Sequence, residues 1–187
     1  MQWSEIHIII DERLKKIAVE HIEERIKYEF DRFGLPEEKR RSMILIGSIG
    51  QLVFKKFLEK NNVKFEFEFQ AGKYDKMDFK INGKIIEIKC SGFDEQYHYL
   101  NLLYAKDQLY NGLQKKFEYC VQIFINGYER SSKMLNVTKC VDGIISGYIE
   151  FIKIKNFENN YKKYFGDDYK VPLSNLKSIN QLLEILK

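Results

Sequence analysis

Only two prolines punctuate this chain of 187 residues, Pro36 and Pro172. Cysteine is scarce as well. Cys90, Cys120 and Cys140 are an odd number with no C-x-x-C spacing, so a structural zinc centre is not expected. Cys90 and Cys120 fall in strand-like apolar runs and read as reduced, buried thiols of a cytoplasmic protein. No apolar stretch approaches the roughly 20 residues of a membrane span. The run Ile8-Ile9-Ile10 is too short for the core of a leader and ends at Asp11, so neither a leader nor a membrane segment is expected. Low-complexity segments and internal repeats are absent. Charge of one sign is also lacking: 31 Lys and Arg stand against 27 Asp and Glu, a net charge of +4. That mild basic bias is compatible with an anionic partner without demanding one.

What is present is enough apolar residue, with 14 Phe and 12 Tyr, for one domain with a real core. Residues 11 to 33 carry an apolar stripe (Leu14, Ala18, Ile22, Ile26, Phe30, Phe33) at helical spacing. Asp11 caps its start, Gly34 closes it and Pro36 follows. His21 lies beside the stripe and reads as a partly buried helix histidine. Residues 44 to 60 form a second helix, buried through Ile49, Leu52, Val53 and Phe57. Gly47 and Gly50 are unusual there, since each costs about 1 kcal/mol inside a helix. They mark either a loose helix start or the close approach of another backbone or a ligand, and Gln51 follows them directly.

VKFEFEF, residues 63 to 69, alternates strictly and reads as a half-buried strand. A loop then leads to MDFKINGKIIEIKC, residues 77 to 90, where Asn82-Gly83 signals a two-residue hairpin turn. Together the three strands make an antiparallel meander. Residues 99 to 117, with Leu100, Leu103, Leu109 and Leu113, suggest one helix or two short ones. YCVQIFIN, 119 to 126, is apolar enough for a central strand buried on both faces. ISGYIEFIKIKNF, 145 to 157, gives another strand, and the tail after Pro172 closes with a helix bearing Leu182, Leu183 and Leu186. The whole is an α/β domain: a helical stretch over 1–43, a core over 44–157 and a closing loop and helix over 158–187.

The hairpin poses the chemical question. With Asn82 and Gly83 as the loop, Ile81 meets Lys84, Lys80 meets Ile85, Phe79 meets Ile86 and Asp78 meets Glu87. One face then carries Met77, Phe79, Ile81, Ile86, Ile88 and Cys90. The other carries Asp78, Lys80, Ile85, Glu87 and Lys89. Directly opposed residues have Cβ atoms about 4.5–5.5 Å apart, and like charges so placed repel. Two such carboxylates need a cation or a shared proton. Lys89 supplies one positive charge, and Mg²⁺, which takes carboxylate, water and phosphate oxygens, would supply more. The bland alternative is a solvated face of ordinary surface charges.

The order helix, strand, D-x(8)-E-x-K hairpin, helix, strand resembles the PD-(D/E)xK, or restriction endonuclease-like, nuclease superfamily over about residues 44 to 126. The resemblance implies a mixed β-sheet core flanked by helices. It implies metal-dependent hydrolysis of DNA phosphodiester bonds, with Asp78, Glu87 and the backbone carbonyl of Ile88 holding Mg²⁺, or Mn²⁺ in its place. Lys89 would orient the attacking water. GSIGQLVFKKFL resembles the first core helix, with Gln51 where many members carry Glu; Met77 stands where some carry Pro. AKDQLYN resembles a downstream segment in which Gln108 would line the site. Tyr97, His98 and Tyr99 follow the hairpin and would border the cleft, His98 being an alternative base. Lys55, Lys56, Lys115 and Lys116 are candidate phosphate contacts, or a solvated helix face. NNYKKYFGDDYK is either a nucleic-acid contact or a surface loop with its aromatics on the core. One protomer of this size is not expected to cut both strands, which points to a homodimer. The alternative keeps the fold without the chemistry, as a nucleic-acid-binding or assembly module.

Overall fold

The computed structural model describes residues 5–27, 34–67, 69, 77–95, 101–105, 117–157 and 168–187. Helix α1, Glu12–Arg25, starts where Asp11 accepts the Leu14 N–H through its side chain at 2.9 Å, as a capping residue does. Leu14, Ala18 and Ile22 are its buried stripe. The helix ends at Arg25, and the stripe's outer members Phe30 and Phe33 lie outside the described residues.

Helix α2, Glu37–Lys60, begins directly after Pro36, whose fixed φ suits that position, with Glu37 and Glu38 in its first turn. It therefore starts well before Ile44, the expected first residue. Gly47 and Gly50 consequently lie in the helix interior and are not a loose helix start.

Six strands form one mixed sheet in the order β1-β9-β6-β4-β3-β2. They are β1 (Ile6–Ile9), β2 (Glu66–Phe67), β3 (Phe79–Ile81), β4 (Lys84–Phe93), β6 (Tyr119–Asn126) and β9 (Asp142–Glu150). β4 and β6 run parallel and the other pairs antiparallel. The meander β2-β3-β4 has the expected connectivity, with β2 shorter than the alternation of VKFEFEF suggests. β1 was not anticipated: the Ile-rich start of the chain pairs with β9 and closes one edge of the sheet. A small ladder joins β7 (Tyr128–Glu129) to β8 (Met134–Leu135).

Side chains alternate across the sheet and feed two cores. On one face Ile86, Ile88, Val121, Ile123 and Ile145 meet α2, α1 and the closing helix α4 (Ile179–Leu186). On the other, Cys120, Phe124, Ile144 and Ile149 meet Leu102, Tyr169 and Val171. Those last three belong to a second ladder, β5 (Asn101–Ala105) with β10 (Asp168–Pro172). The expected helix over 99–117 is thus a strand at 101–105, because these residues find an extended partner far along the chain. Residues 99–100 and 106–116, Gln108 among them, lie outside the described residues. Most of NNYKKYFGDDYK does too, but its end is β10, with Tyr169 buried and Lys170 exposed.

The strand expected at 145–157 begins at Asp142 and stops at Glu150, where the short helix α3 (Phe151–Ile154) takes over. The Phe151 N–H bonds the Glu118 carbonyl and ends the ladder, leaving Ile152 in solvent. Among the described residues no helix is long and apolar enough to cross a membrane.

Candidate active site

The turn at the tip fixes the hairpin. Asn82 and Gly83 both take positive φ (48° and 79°), the requirement of a two-residue turn that matches strand twist. The register is the expected one: Ile81 opposite Lys84, Lys80 opposite Ile85 and Phe79 opposite Ile86. Asp78 stands just before β3, beside β4, where the antiparallel ladder has not yet begun.

Neither carboxylate is on a wet face. Asp78 is 4% exposed and Glu87 5%. Asp78 Oδ2 accepts the Ile88 N–H at 2.7 Å and its Oδ1 accepts Gln51 Nε2 at 2.8 Å. Glu87 Oε1 accepts Lys89 Nζ at 2.9 Å. In an extended strand the N–H and C=O of one residue point the same way. The Ile88 carbonyl therefore opens towards β3's side, as its N–H does, next to Asp78. The solvated-face alternative for this end of the hairpin is overturned by the burial.

Helix α2 places Gln51. A Cβ built on Gly50 would lie 1.9 Å from Cys90 Sγ, so glycine lets α2 press onto β4 here without displacing that side chain. The next residue along the helix is then brought against Asp78. A Cβ on Gly47 would meet nothing within 4 Å, so close packing does not account for that glycine among the described residues.

Burial, then the charge of Asp78, pushes the Cys90 thiol up; burial also raises Cys120, against the opposing pull of Lys89. Both thiols stay protonated, and a metal-binding sulfur has to be a thiolate. Among the described residues no group of three or more His, Cys, Asp or Glu is gathered that could hold an ion. Two carboxylates with a backbone carbonyl are nonetheless a donor set of hard oxygens, suited to Mg²⁺ or Mn²⁺, which keep waters in their remaining positions. Each carboxylate oxygen carries two lone pairs, so a hydrogen bond does not bar it from a cation.

No family model matches this chain, and neither a curated protein nor a solved structure matches it.

The other expected residues divide. Gln108, Tyr97, His98, Tyr99, Lys115 and Lys116 lie outside the described residues. Lys56 is tied to β1, donating to Asp11 Oδ2 at 2.7 Å and to the Ile9 carbonyl at 3.0 Å. Lys55 pairs with Glu59 at 3.7 Å along α2. His21 is buried, as its place beside the stripe suggested: its Nδ1 is 2.9 Å from Ser48 Oγ and its ring stacks on Phe69 at 3.7 Å. Sequence reasoning passed over Gln122, a wholly buried amide in the middle of β6, directly beside Lys89 in the parallel register. The signal was there to read: one amide within the apolar run YCVQIFIN.

Proposed function

We propose that this chain is a metal-dependent endonuclease with a restriction endonuclease-like core, hydrolysing phosphodiester bonds of DNA. The observation that carries the reading is that two buried carboxylates flank Ile88 of one hairpin, Asp78 on the Ile88 N–H and Glu87 paired with Lys89. Burying two carboxylates is costly, and apolar residues of similar volume would serve stability as well or better. A site that must hold a cation against a phosphate gives them a purpose.

In this reading Asp78, Glu87 and the Ile88 carbonyl hold Mg²⁺ or Mn²⁺. The ion, when bound, supplies charge neutralisation at the phosphate and a water of lowered pKa. Gln51 fixes the rotamer of Asp78 from the helix side. The Ile88 N–H fixes the other oxygen, so the carboxylate is oriented before substrate arrives. Lys89, partly exposed, presents its ammonium to the water or to the charge developing on the phosphate. Double-strand cutting would take two protomers, one site for each strand.

A second reading is favoured by Gln51. An amide where an acid would add charge weakens the hold on a cation, as suits a nucleic-acid-binding or assembly module that does not cut. Nicking and linearisation of supercoiled plasmid separates the two, run with Mg²⁺, with Mn²⁺ and with EDTA. Metal-dependent cutting that Asp78→Ala and Lys89→Ala both abolish is the expected result. DNA binding without cutting by the wild type in either metal would favour the module.

A further inference from the structure

Among the described residues β1 is an outermost strand of the sheet, paired with β9 on one side. β9 and β6 separate it from β4, so it stands apart from the candidate site. Hydrogen-bonded and non-bonded pairs alternate along an antiparallel ladder. The Ile10 N–H donates to the Val141 carbonyl at 2.9 Å, which sets that alternation. Ile6, Ile8 and Ile10 bond towards β9, and the backbone groups of His7 and Ile9 point outward. An open edge of this kind is a template for another strand. The Ile9 side chain, 73% exposed, adds apolar surface to it.

One contact interrupts the edge. Lys56 reaches across from α2 and donates to the Ile9 carbonyl at 3.0 Å, while the same ammonium donates to Asp11 Oδ2 at 2.7 Å. Asp11 is itself fixed by the Leu14 N–H that it caps. The ammonium is therefore held on the outer side of β1. A second strand seated there would have to displace that charge or bury it, and burying a charge is costly. Lysine at a sheet edge is one means by which natural sheets are kept from joining.

We propose that the outer edge of β1 is a pairing surface for the same strand of a second copy of this chain, and that Lys56 holds it closed. The edge is self-complementary. With a two-fold axis at Ile8, His7 of each copy stands opposite Ile9 of the other, and each such pair exchanges both N–H···O bonds. In half of those bonds the acceptor is the Ile9 carbonyl that Lys56 now occupies. The same register lays each exposed Ile9 beside the imidazole of the other copy. Among the described residues the opposite edge strand, β2, has 2 residues and does not match β1 in length. The strand that fits β1 is therefore another β1.

The test is the mass of the full chain in solution, by light scattering on a sizing column over a range of concentrations, each variant's fold first checked by thermal unfolding. Lys56→Met removes the ammonium and keeps an unbranched side chain. It is expected at least to double the mass of the wild type at the higher concentrations. Should Lys56→Met not fold, Lys56→Gln carries the same comparison. Adding His7→Pro, which removes an outward N–H and none of those bonded to β9, is expected to restore the mass of the wild type. Ile9→Pro does the same at the other outward position should His7→Pro not fold. A Lys56→Met protein with the wild type's mass at every concentration would overturn the proposal. So would a doubled mass that persists with the proline in place, since the association would then lie elsewhere. A wild type whose mass falls on His7→Pro alone would also overturn it, because the edge would already be paired with Lys56 in position.

Discussion

Gln51 reaches from α2 to Asp78 with its Nε2 2.8 Å from Oδ1, joining the helix to the hairpin at the candidate site. The amide holds the carboxylate without adding charge. Gln51→Glu would place a second carboxylate at that distance, and like charges so close cannot both stay ionised without a cation. The variant is expected to melt several degrees below the wild type in EDTA and to recover most of that loss in Mg²⁺ or Mn²⁺. Paired thermal melts with and without metal check this. A Tm for Gln51→Glu that ignores the ion would mean that no cation site lies beside Asp78.

Lys89 and Asp78 are expected to fail in different ways. Lys89→Met removes the ammonium bonded to Glu87 Oε1. Its cutting rate should fall by about 10²-fold or more, as when a positioned charge or proton-transfer group is removed. Its Mn²⁺ affinity should hold or rise, because a competing cation has left the carboxylate. Asp78→Asn keeps the shape and should lose both binding and cutting. Calorimetry and plasmid nicking on the same samples tell the patterns apart. Loss of metal binding by Lys89→Met would show that the lysine supports the site instead of competing for it.

The hairpin was legible because Asn82-Gly83 sets its register and period-two alternation does the rest. β6 was legible as an apolar run, and the tail helix from its leucines. The depth of Asp78 and Glu87 was not. Alternation tells which residues share a face, and only elements distant in sequence, α2 on one side and the β5-β10 ladder on the other, decide whether a face is wet. The same ladder explains the miss at 101–105, where Leu103, one of the leucines read as helical, pairs with Lys170 in a strand. In 145–157 the Ile and Phe alternation runs on past Glu150, although the ladder does not. β1 was missed for a similar reason: Ile6–Ile9 is short, and its partner β9 lies at the other end of the chain.

Gly50 tests how closely α2 must sit on the hairpin. Gly50→Ala gains helix propensity, which alone would stabilise by about 1 kcal/mol. The added Cβ, however, lands 1.9 Å from Cys90 Sγ. Overpacking of that kind costs about 1–3 kcal/mol, so a net loss is expected in urea unfolding, along with weaker metal binding as Gln51 is pushed from Asp78. Adding Cys90→Ala removes the clashing sulfur and should return part of the loss. Additive effects of the two changes would place the damage elsewhere.

His21 sets a pH dependence of stability. Burial, with a smaller contribution from the charge of Arg25, lowers its pKa to about 4 from the ordinary 6.5. The folded imidazole stays neutral against Ser48 and Phe69, while the unfolded chain takes up its proton near pH 6.5. Between those values the unfolded state binds more protons, so stability falls as pH falls through the window and levels off below about pH 4. The full effect is on the order of 3 kcal/mol. Asp11, Glu23, Glu129 and Glu150 are held below their ordinary values by lysine or arginine partners, so their contribution is lost at lower pH than that of His21. Urea midpoints of the wild type and His21→Leu, compared from pH 7 to pH 4, isolate the histidine. The wild type should lose stability in that range more steeply than the variant, and parallel curves would mean that His21 titrates alike in the folded and unfolded chain.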